Sequence, residues 1–196
     1  MTQPAGVILA GGLATRMGGG DKALLGLGGV TLLQRVVERL APQVAGLALN
    51  ANGDTARFDS YGLPVVSDSV EGFAGPLAGV LAGLDWAAEQ GFDSIVTAAG
   101  DTPFFPRDLA ERLMAQAEGM EHPLVLAATP DGRQPTFGLW PVALRNDLRA
   151  ELEGGLRKVV LWTDKHHGRI AEFSGQGAPF FNVNTPEDLA QAERML

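Results

Sequence analysis

Short apolar runs that alternate with stretches of helical periodicity set the fold class of this 196-residue chain. The runs lie at residues 6–10, 47–50, 64–66, 94–98 and 123–127, and they are rich in Val, Ile, Leu and Ala. Such runs are typical of strands buried on both faces of a sheet. Because strands alternate with helices, the sequence predicts an α/β fold in which helices cover both faces of a mostly parallel sheet. Ligands of such sheets bind beyond the carboxyl ends of the strands.

Helix start signals support this pattern. Thr31 opens a capping box before a helix over 32–40, and the Gly75-Pro76 pair suits the first turn of a second helix. In that second helix the apolar residues follow the helical period. The remaining helices are predicted over 106–118 and from Thr185 onward.

The segment 132–173 differs from the rest, because aromatic-rich runs at 136–140 and 159–162 lie close to the run at 169–173. These runs predict edge or antiparallel strands. The sequence shows no internal repeat, no low-complexity tract and no dividing linker, so we expect one domain over 1–196.

Composition excludes several classes of function. The chain has no cysteine, so it can hold neither a disulfide, nor a thiolate metal site, nor a cysteine nucleophile. Its net charge of -8 argues against a nucleic-acid binder, which must neutralise many phosphates. The first residues show neither a basic leader nor a run of about 18 apolar residues. We therefore expect a cytoplasmic protein with no membrane partner, in which any phosphate is bound by local contacts.

A glycine-rich segment follows the first predicted strand. Residues 9–22 read Leu-Ala-Gly-Gly-Leu-Ala-Thr-Arg-Met-Gly-Gly-Gly-Asp-Lys. Glycines allow backbone N–H groups to point inward, and Arg16 and Lys22 supply positive charge, so the segment is a candidate phosphate cradle. It lacks the Gly-Lys-Ser/Thr of a P-loop and the Gly-x-Gly-x-x-Gly of a dinucleotide-binding fold. The alternative is a structural loop whose cations are merely solvated.

Polar residues follow three other predicted strands. Asp101 lies in a Gly-Asp-Thr-Pro motif after the run 94–98, and a single carboxylate completed by phosphate oxygens and water suits Mg²⁺. The alternative role for Asp101, capping a helix that begins near Pro106, is disfavoured by its distance from that proline. Asn50 and Asp68 also end strands, where each on its own is an ordinary turn residue.

Together these motifs resemble those of the molybdenum cofactor guanylyltransferases, a family of Rossmann-like nucleotidyltransferases. The resemblance rests on Leu-Ala-Gly-Gly at 9–12, Arg-Met-Gly-Gly at 16–19, Gly-Pro-Leu-Ala-Gly at 75–79, Gly-Asp-Thr-Pro at 100–103 and Asn-Val-Asn-Thr-Pro-Glu-Asp-Leu at 182–189. It implies a three-layer sandwich like that of the nucleotide-diphospho-sugar transferases. It also implies transfer of GMP from GTP to the phosphate of molybdopterin, with or without molybdenum already loaded, and release of pyrophosphate.

The resemblance also implies site residues. It assigns GTP to the N-terminal part of the chain and molybdopterin to the C-terminal part, where Asn182 and Asn184 fall. It implies catalytic roles for Arg16, Lys22 and Asp101, with Mg²⁺ held by Asp101. The GTP contacts of the family fall on Leu9, Ala10, Gly11, Gly12, Lys22, Asn50, Asp68, Gly75 and Asp101.

The same resemblance bears on substrate and partners. Cytidylyl-specific relatives tend to carry Leu-Ala-Ala-Gly, so the Leu-Ala-Gly-Gly of this chain implies GTP and not CTP. The implied partners are GTP, molybdopterin and the enzymes that deliver molybdopterin or accept the product, and we expect a monomer.

Two alternative functions stay open at this point. One is transfer of CMP or another nucleotide to molybdopterin or to a sugar phosphate. The other is a catalytically inert module that binds a nucleotide for a partner, against which the intact Arg16, Lys22 and Asp101 argue. The adjacent His166 and His167 cannot both face one ion from a regular strand, so a solvated turn is predicted there and not a metal site.

Overall fold

A mixed sheet forms the middle layer of the molecule. A computed structural model describes residues 2–11, 21–70, 75–174 and 178–196. Its strands are β1 (Ala5–Leu9), β2 (Gly26–Leu27), β3 (Val30–Thr31), β4 (Leu47–Asn50), β5 (Val65–Val66), β6 (Ser94–Ala99), β7 (Val125–Thr129), β8 (Gly132–Pro141) and β9 (Arg169–Glu172). Strands β2 and β3 pair as a separate hairpin, and the others form one sheet in the order β5-β4-β1-β6-β8-β7-β9. Only β8 runs antiparallel to its neighbours within the described sheet, so the predicted mostly parallel α/β sheet is confirmed.

Helices cover both faces of this sheet. They are α1 (Leu32–Leu40), α2 (Pro76–Glu89), α3 (Leu109–Gln116), α4 (Arg145–Glu153), α5 (Val159–Lys165) and α6 (Pro186–Arg194). Apolar residues of α1 and α3 pack on one face, and those of α2, α4 and α5 pack on the other. Successive strand residues serve opposite layers, so that Val7 packs towards α2 and Ile8 packs towards α1. Helix α6 packs near the β2–β3 hairpin around Leu27, Val183 and Ala192.

The predicted strands and helix starts agree closely with the structure. Each of the five predicted strands is present, with ends that differ by at most two residues. Thr31 Oγ1 accepts a hydrogen bond of 3.0 Å from the backbone N–H of Gln34, but the Gln34 side chain binds Glu38, so only half of the capping box forms. Helix α3 is shorter than predicted, because a turn from Pro106 precedes its first residue. No helix in the described parts of the chain is long and apolar enough to span a membrane.

The aromatic-rich segment was predicted only in part. The run at 136–140 lies in β8, which is antiparallel but sits inside the sheet and not at its edge, whereas 169–172 forms the edge strand β9. The prediction of a strand over 159–162 is wrong, because this run belongs to α5. Val159 and Trp162 are buried while Leu161 is exposed, which is a helical spacing that four residues alone cannot distinguish from a strand.

Candidate active site

A cleft of about 440 Å³ opens beyond the carboxyl ends of β1, β4 and β6. Parallel registers bring these strand ends together, since Leu9 pairs with Asn50 on one side and with Ala99 on the other. This is the edge at which open α/β sheets bind ligands. The residues that line the cleft are Leu9, Ala10, Gly11, Lys22, Ala23, Asn50, Asn52, Asp68, Gly75, Pro76, Ala99, Gly100, Asp101, Thr136 and Asn182. Most of the predicted GTP contacts therefore meet in one place.

The ammonium group of Lys22 lies at the junction of the two halves of the chain. Its Nζ donates to Asp101 Oδ2 at 2.5 Å, to Asn182 Oδ1 at 3.3 Å and to Asn184 Oδ1. An ammonium has three N–H donors, so each proton has an acceptor of its own. Lys22 is only 8% exposed, so the alternative of a merely solvated loop lysine is wrong for this residue.

The segment 182–184 is held in place by Asp101 on one side and by Asp188 of α6 on the other. The backbone N–H of Val183 donates to the backbone oxygen of Asp101 at 3.0 Å. Asp188 Oδ2 accepts from the backbone N–H groups of Asn184 and Thr185, both at 2.9 Å, and completes a capping box on α6. As a result the side chains of Asn182 and Asn184 both reach Lys22, as alternate residues of an extended segment should.

Asp188 is a positioning residue that the sequence marked only as part of a helix start. The hydrogen bond from the Asn184 backbone lowers the pKa of the Asp188 carboxyl below its usual value. Slight burial opposes this shift, but further hydrogen bonds from Thr185 and the charge of Lys22 add to it. Asp188 therefore stays ionised at neutral pH and keeps its two backbone contacts.

Three polar residues form the opposite side of the cleft. Asn50 Nδ2 donates to Asp68 Oδ1 at 2.9 Å and to the backbone oxygen of Val66 at 3.2 Å. Asn52 makes two hydrogen bonds with Asp68. Its Nδ2 donates to Asp68 Oδ2 at 2.8 Å, and its Oδ1 accepts from the Asp68 backbone N–H at 2.9 Å. The predicted pair of Asn50 and Asp68 is thus a bonded unit, and Asn52 is a member that no motif indicated.

Glycines allow the backbone and helix α2 to approach these side chains. A Cβ atom at Gly79 would lie 2.3 Å from Asn50 Oδ1, so glycine leaves the room that the Asn50 carboxamide occupies. Gly75 caps α2 with φ +139°, and the amino end of that helix faces the cleft. A Cβ at Gly11 would meet no atom of the described residues within 4 Å, and Gly11 itself lines the cleft.

Asp101 is the one predicted metal ligand, and each of its carboxylate oxygens accepts a hydrogen bond. Its Oδ1 accepts from the Thr102 hydroxyl at 3.1 Å and its Oδ2 accepts from Lys22, while the carboxylate borders the cleft. No group of three or more His, Cys, Asp or Glu residues able to hold an ion occurs among the described residues. A lone carboxylate is nevertheless the donor set that Mg²⁺ uses when substrate phosphates and water complete its shell.

The remaining predicted residues are Arg16, Gly12 and the adjacent histidines. Arg16 and Gly12 lie outside the described residues, so their predicted contacts stay predictions. His166 and His167 form a turn as expected, but His166 is not simply solvated. Its Nε2 lies 2.6 Å from Asp147 Oδ1 and its ring packs against Trp162, which gives it a structural role between α4 and α5.

Comparison with known proteins matches this chain to one family. A sequence model described as the MobA-like NTP transferase domain matches residues 6–168. A protein of Mesorhizobium japonicum named molybdenum cofactor guanylyltransferase is 50% identical over 198 residues, which cover 98% of this chain and 95% of the relative. A protein of the same name from Rhodopseudomonas palustris is 52% identical over 194 residues, with coverage of 97% and 91%.

A solved structure shows the same fold. Molybdopterin-guanine dinucleotide biosynthesis protein A from Archaeoglobus fulgidus superposes with a TM-score of 0.78 and 24% sequence identity, and the match covers 97% of both chains. At this identity the likeness concerns the fold, and it extends over nearly the whole of both chains.

Proposed function

This chain belongs to the MobA-like NTP transferase family, and we propose that it transfers GMP from GTP to the phosphate of molybdopterin and releases pyrophosphate. The observation that carries the proposal is the buried Lys22 ammonium, which joins Asp101 of the predicted nucleotide half to Asn182 and Asn184 of the predicted molybdopterin half. Curated relatives about half identical over nearly the full chain, named for this activity, support it.

On the nucleotide side, the phosphates of GTP would bind at the β1 loop and Lys22. Gly11 lines the cleft, and the amino end of α2 adds a favourable dipole for an anion. The nucleoside would lie against Asn50, Asp68 and Gly75 on the other side. Arg16 adds a second cation in this proposal on the basis of the family resemblance alone.

On the acceptor side, Asn182 and Thr136 line the cleft and Asn184 lies next to it. The attacking phosphate of molybdopterin is already an anion, so the reaction needs no general base. The protein then acts by holding the two substrates in line and by stabilising negative charge. Lys22 can serve this role because its charge lies where the two groups of contacts meet.

Mg²⁺ is part of the proposal, and Asp101 would hold it. When bound, the ion neutralises charge on the phosphate oxygens of the nucleotide. Lys22 balances the charge of the same carboxylate in the structure, at 2.5 Å, and its side chain also reaches the two asparagine amides. Cytoplasmic location, a monomeric state and partner enzymes for delivery and acceptance of the cofactor also belong to the proposal through the family.

The decisive experiment mixes purified protein with Mg²⁺, molybdopterin and one nucleoside triphosphate at a time, and follows pyrophosphate release together with the mass of the product. We expect release with GTP only, and only when molybdopterin is present, with the slow Asp101→Asn variant as the control. Release with CTP, or with a sugar phosphate in place of molybdopterin, would support the alternative transferases. Nucleotide binding without any release would support an inert module.

A further inference from the structure

A second set of contacts, which does not include the Lys22 side chain, connects the two sides of the cleft. Asp21 directly precedes Lys22, and its carboxylate accepts from Nε of Arg57. Arg57 lies in the short 3-10 helix Thr55–Tyr61, and its Nη2 also donates to the backbone oxygen of Asn52 at 2.8 Å. Asn52 in turn makes two hydrogen bonds with Asp68. The guanidinium of Arg57 therefore links Asp21 to Asn52, and through Asn52 to Asp68.

The surroundings of Arg57 hold it in one orientation. Its guanidinium lies over the ring of Phe58, 4.5 Å from the ring centroid, and Phe58 is fully buried. The side chain of Asp21 is 13% exposed and that of Arg57 is 26% exposed, so water competes only partly for their contact. A guanidinium presents its donors in a fixed plane, so it can bridge two acceptors in a way that a lysine ammonium cannot.

Arg57 does not border the cleft itself within the described part of the chain. Any effect on ligands must therefore pass through Asp21 and Lys22 on one side and through Asn52 and Asp68 on the other. The proposed reaction assigns no task to Asp21 itself, although it directly precedes Lys22.

We propose that Arg57 is a positioning residue that couples the phosphate side of the cleft to the nucleoside side, an inference that rests on the proposed function. With Arg57 in place, the two sides of the cleft are held in fixed positions relative to each other before the nucleotide binds. A ligand that spans both sides then gains from each without ordering them separately. A ligand that touches only one side gains little, because its own contacts persist without the bridge.

The test compares a full nucleotide with its fragments. Calorimetry or competition binding would measure GTP, guanosine and inorganic tripolyphosphate against wild-type protein, Arg57→Ala and Arg57→Lys. We expect both variants to lose about tenfold in GTP affinity, within the range of ordinary coupling between sites. Affinities for guanosine and tripolyphosphate should change by less than about twofold. In steady-state assays, KM for GTP should rise by a similar factor while kcat stays close to wild type.

Two further variants separate coupling from stability. Arg112 is a matched control, since its guanidinium also lies over an aromatic ring and donates to a backbone oxygen, but on the distant helix α3. Arg112→Ala should leave all three affinities unchanged. Asp21→Asn breaks the bridge from its other end with no change of shape, and should reproduce the pattern of Arg57→Ala even if the latter folds poorly.

The possible outcomes are distinct. Equal losses for GTP and both fragments would mean that Arg57 merely maintains the site, and unchanged GTP affinity would mean that the bridge is irrelevant, so either result overturns the proposal. If wild-type protein prefers another nucleoside triphosphate, the proposed function fails, and the same comparison with that nucleotide and its fragments decides the role of Arg57. If wild-type protein binds no nucleotide, both proposals fail.

Discussion

Replacement of Gly79 by alanine should disturb the nucleotide side of the cleft through a single methyl group. The new Cβ would lie 2.3 Å from Asn50 Oδ1 and 2.9 Å from Leu9 Cδ2. The leucine methyl can rotate away, but the carboxamide of Asn50 is buried and bonded to Asp68 and Val66. We therefore expect Asn50 to shift and Asp68 to lose one of its partners.

The size of the effect follows from two opposing contributions. Alanine is favoured over glycine inside a helix by about 1 kcal/mol. Loss of the two Asn50 hydrogen bonds costs about 1 kcal/mol each, and overpacking of a close-packed site adds about 1–3 kcal/mol. The free energy of unfolding in urea should therefore fall by about 2–4 kcal/mol for Gly79→Ala. GTP affinity should fall at least about fivefold, since one polar contact of the nucleoside is disturbed.

Two further variants test whether the effect of Gly79→Ala comes from its contact with Asn50. Gly83→Ala is a matched control on the same helix, because its Cβ would lie 2.8 Å from Val7 Cγ2 and 3.0 Å from Ile95 Cδ1, in the core and away from the cleft. It should lose stability without losing GTP affinity. In the Asn50→Ala background the clash is absent, so Gly79→Ala should no longer destabilise. Wild-type stability and GTP affinity in Gly79→Ala alone would refute the reasoning.

Four further predictions test the rest of the site. Asp101→Asn should keep the fold but lose about a hundredfold in turnover, because a neutral amide is a poor Mg²⁺ ligand; near wild-type turnover would contradict the metal assignment. Lys22→Ala should lose turnover and also about 1–3 kcal/mol of stability in urea, because Asp101 would lose its charged partner; unchanged stability would show that this ion pair contributes nothing to folding. Gly11→Ala should weaken GTP binding more than CTP binding in calorimetry, since its Cβ would meet no described atom within 4 Å and would take up room in the cleft, and a uniform loss would point to loop geometry instead. The pKa of Asp188 is lowered in the folded protein, so its stabilising effect is present above the usual aspartate pKa of about 4 and is lost as the pH falls through the folded value. Asp188→Ala should therefore lose less stability on acidification than wild type, whereas parallel acid profiles would argue against the backbone contacts at Asn184.

Local signals were sufficient for most of the fold. The capping box of α6 lies within four residues, and the glycine-proline start of α2 within two, so each could be read without knowledge of the rest of the chain. The strand predicted over 159–162 was wrong because it also relied on a local signal alone, and a four-residue apolar run is too short to show a helical or a strand period. In the structure this run forms a helix, and Trp162 Nε1 donates to Asp147 Oδ1 of the preceding helix at 2.9 Å. A contact between residues 15 positions apart is not visible in a four-residue pattern.

The location of the site could be predicted from the sequence, because the sheet determines it, but the contacts within the site could not. Parallel strands in register end at one edge, so residues that follow β1, β4 and β6 must converge wherever their loops run. The sequence therefore indicated Leu9, Asn50 and Asp101 as neighbours. Partner choice depends instead on the paths of long connections, since Lys22 and Asn182 are 160 positions apart and Arg57 and Asp21 are 36 apart. No local sequence pattern predicts such paths. The contacts of Arg57 with Asp21 and Asn52, and the hydrogen bonds between Asn52 and Asp68, are therefore visible only in the folded chain.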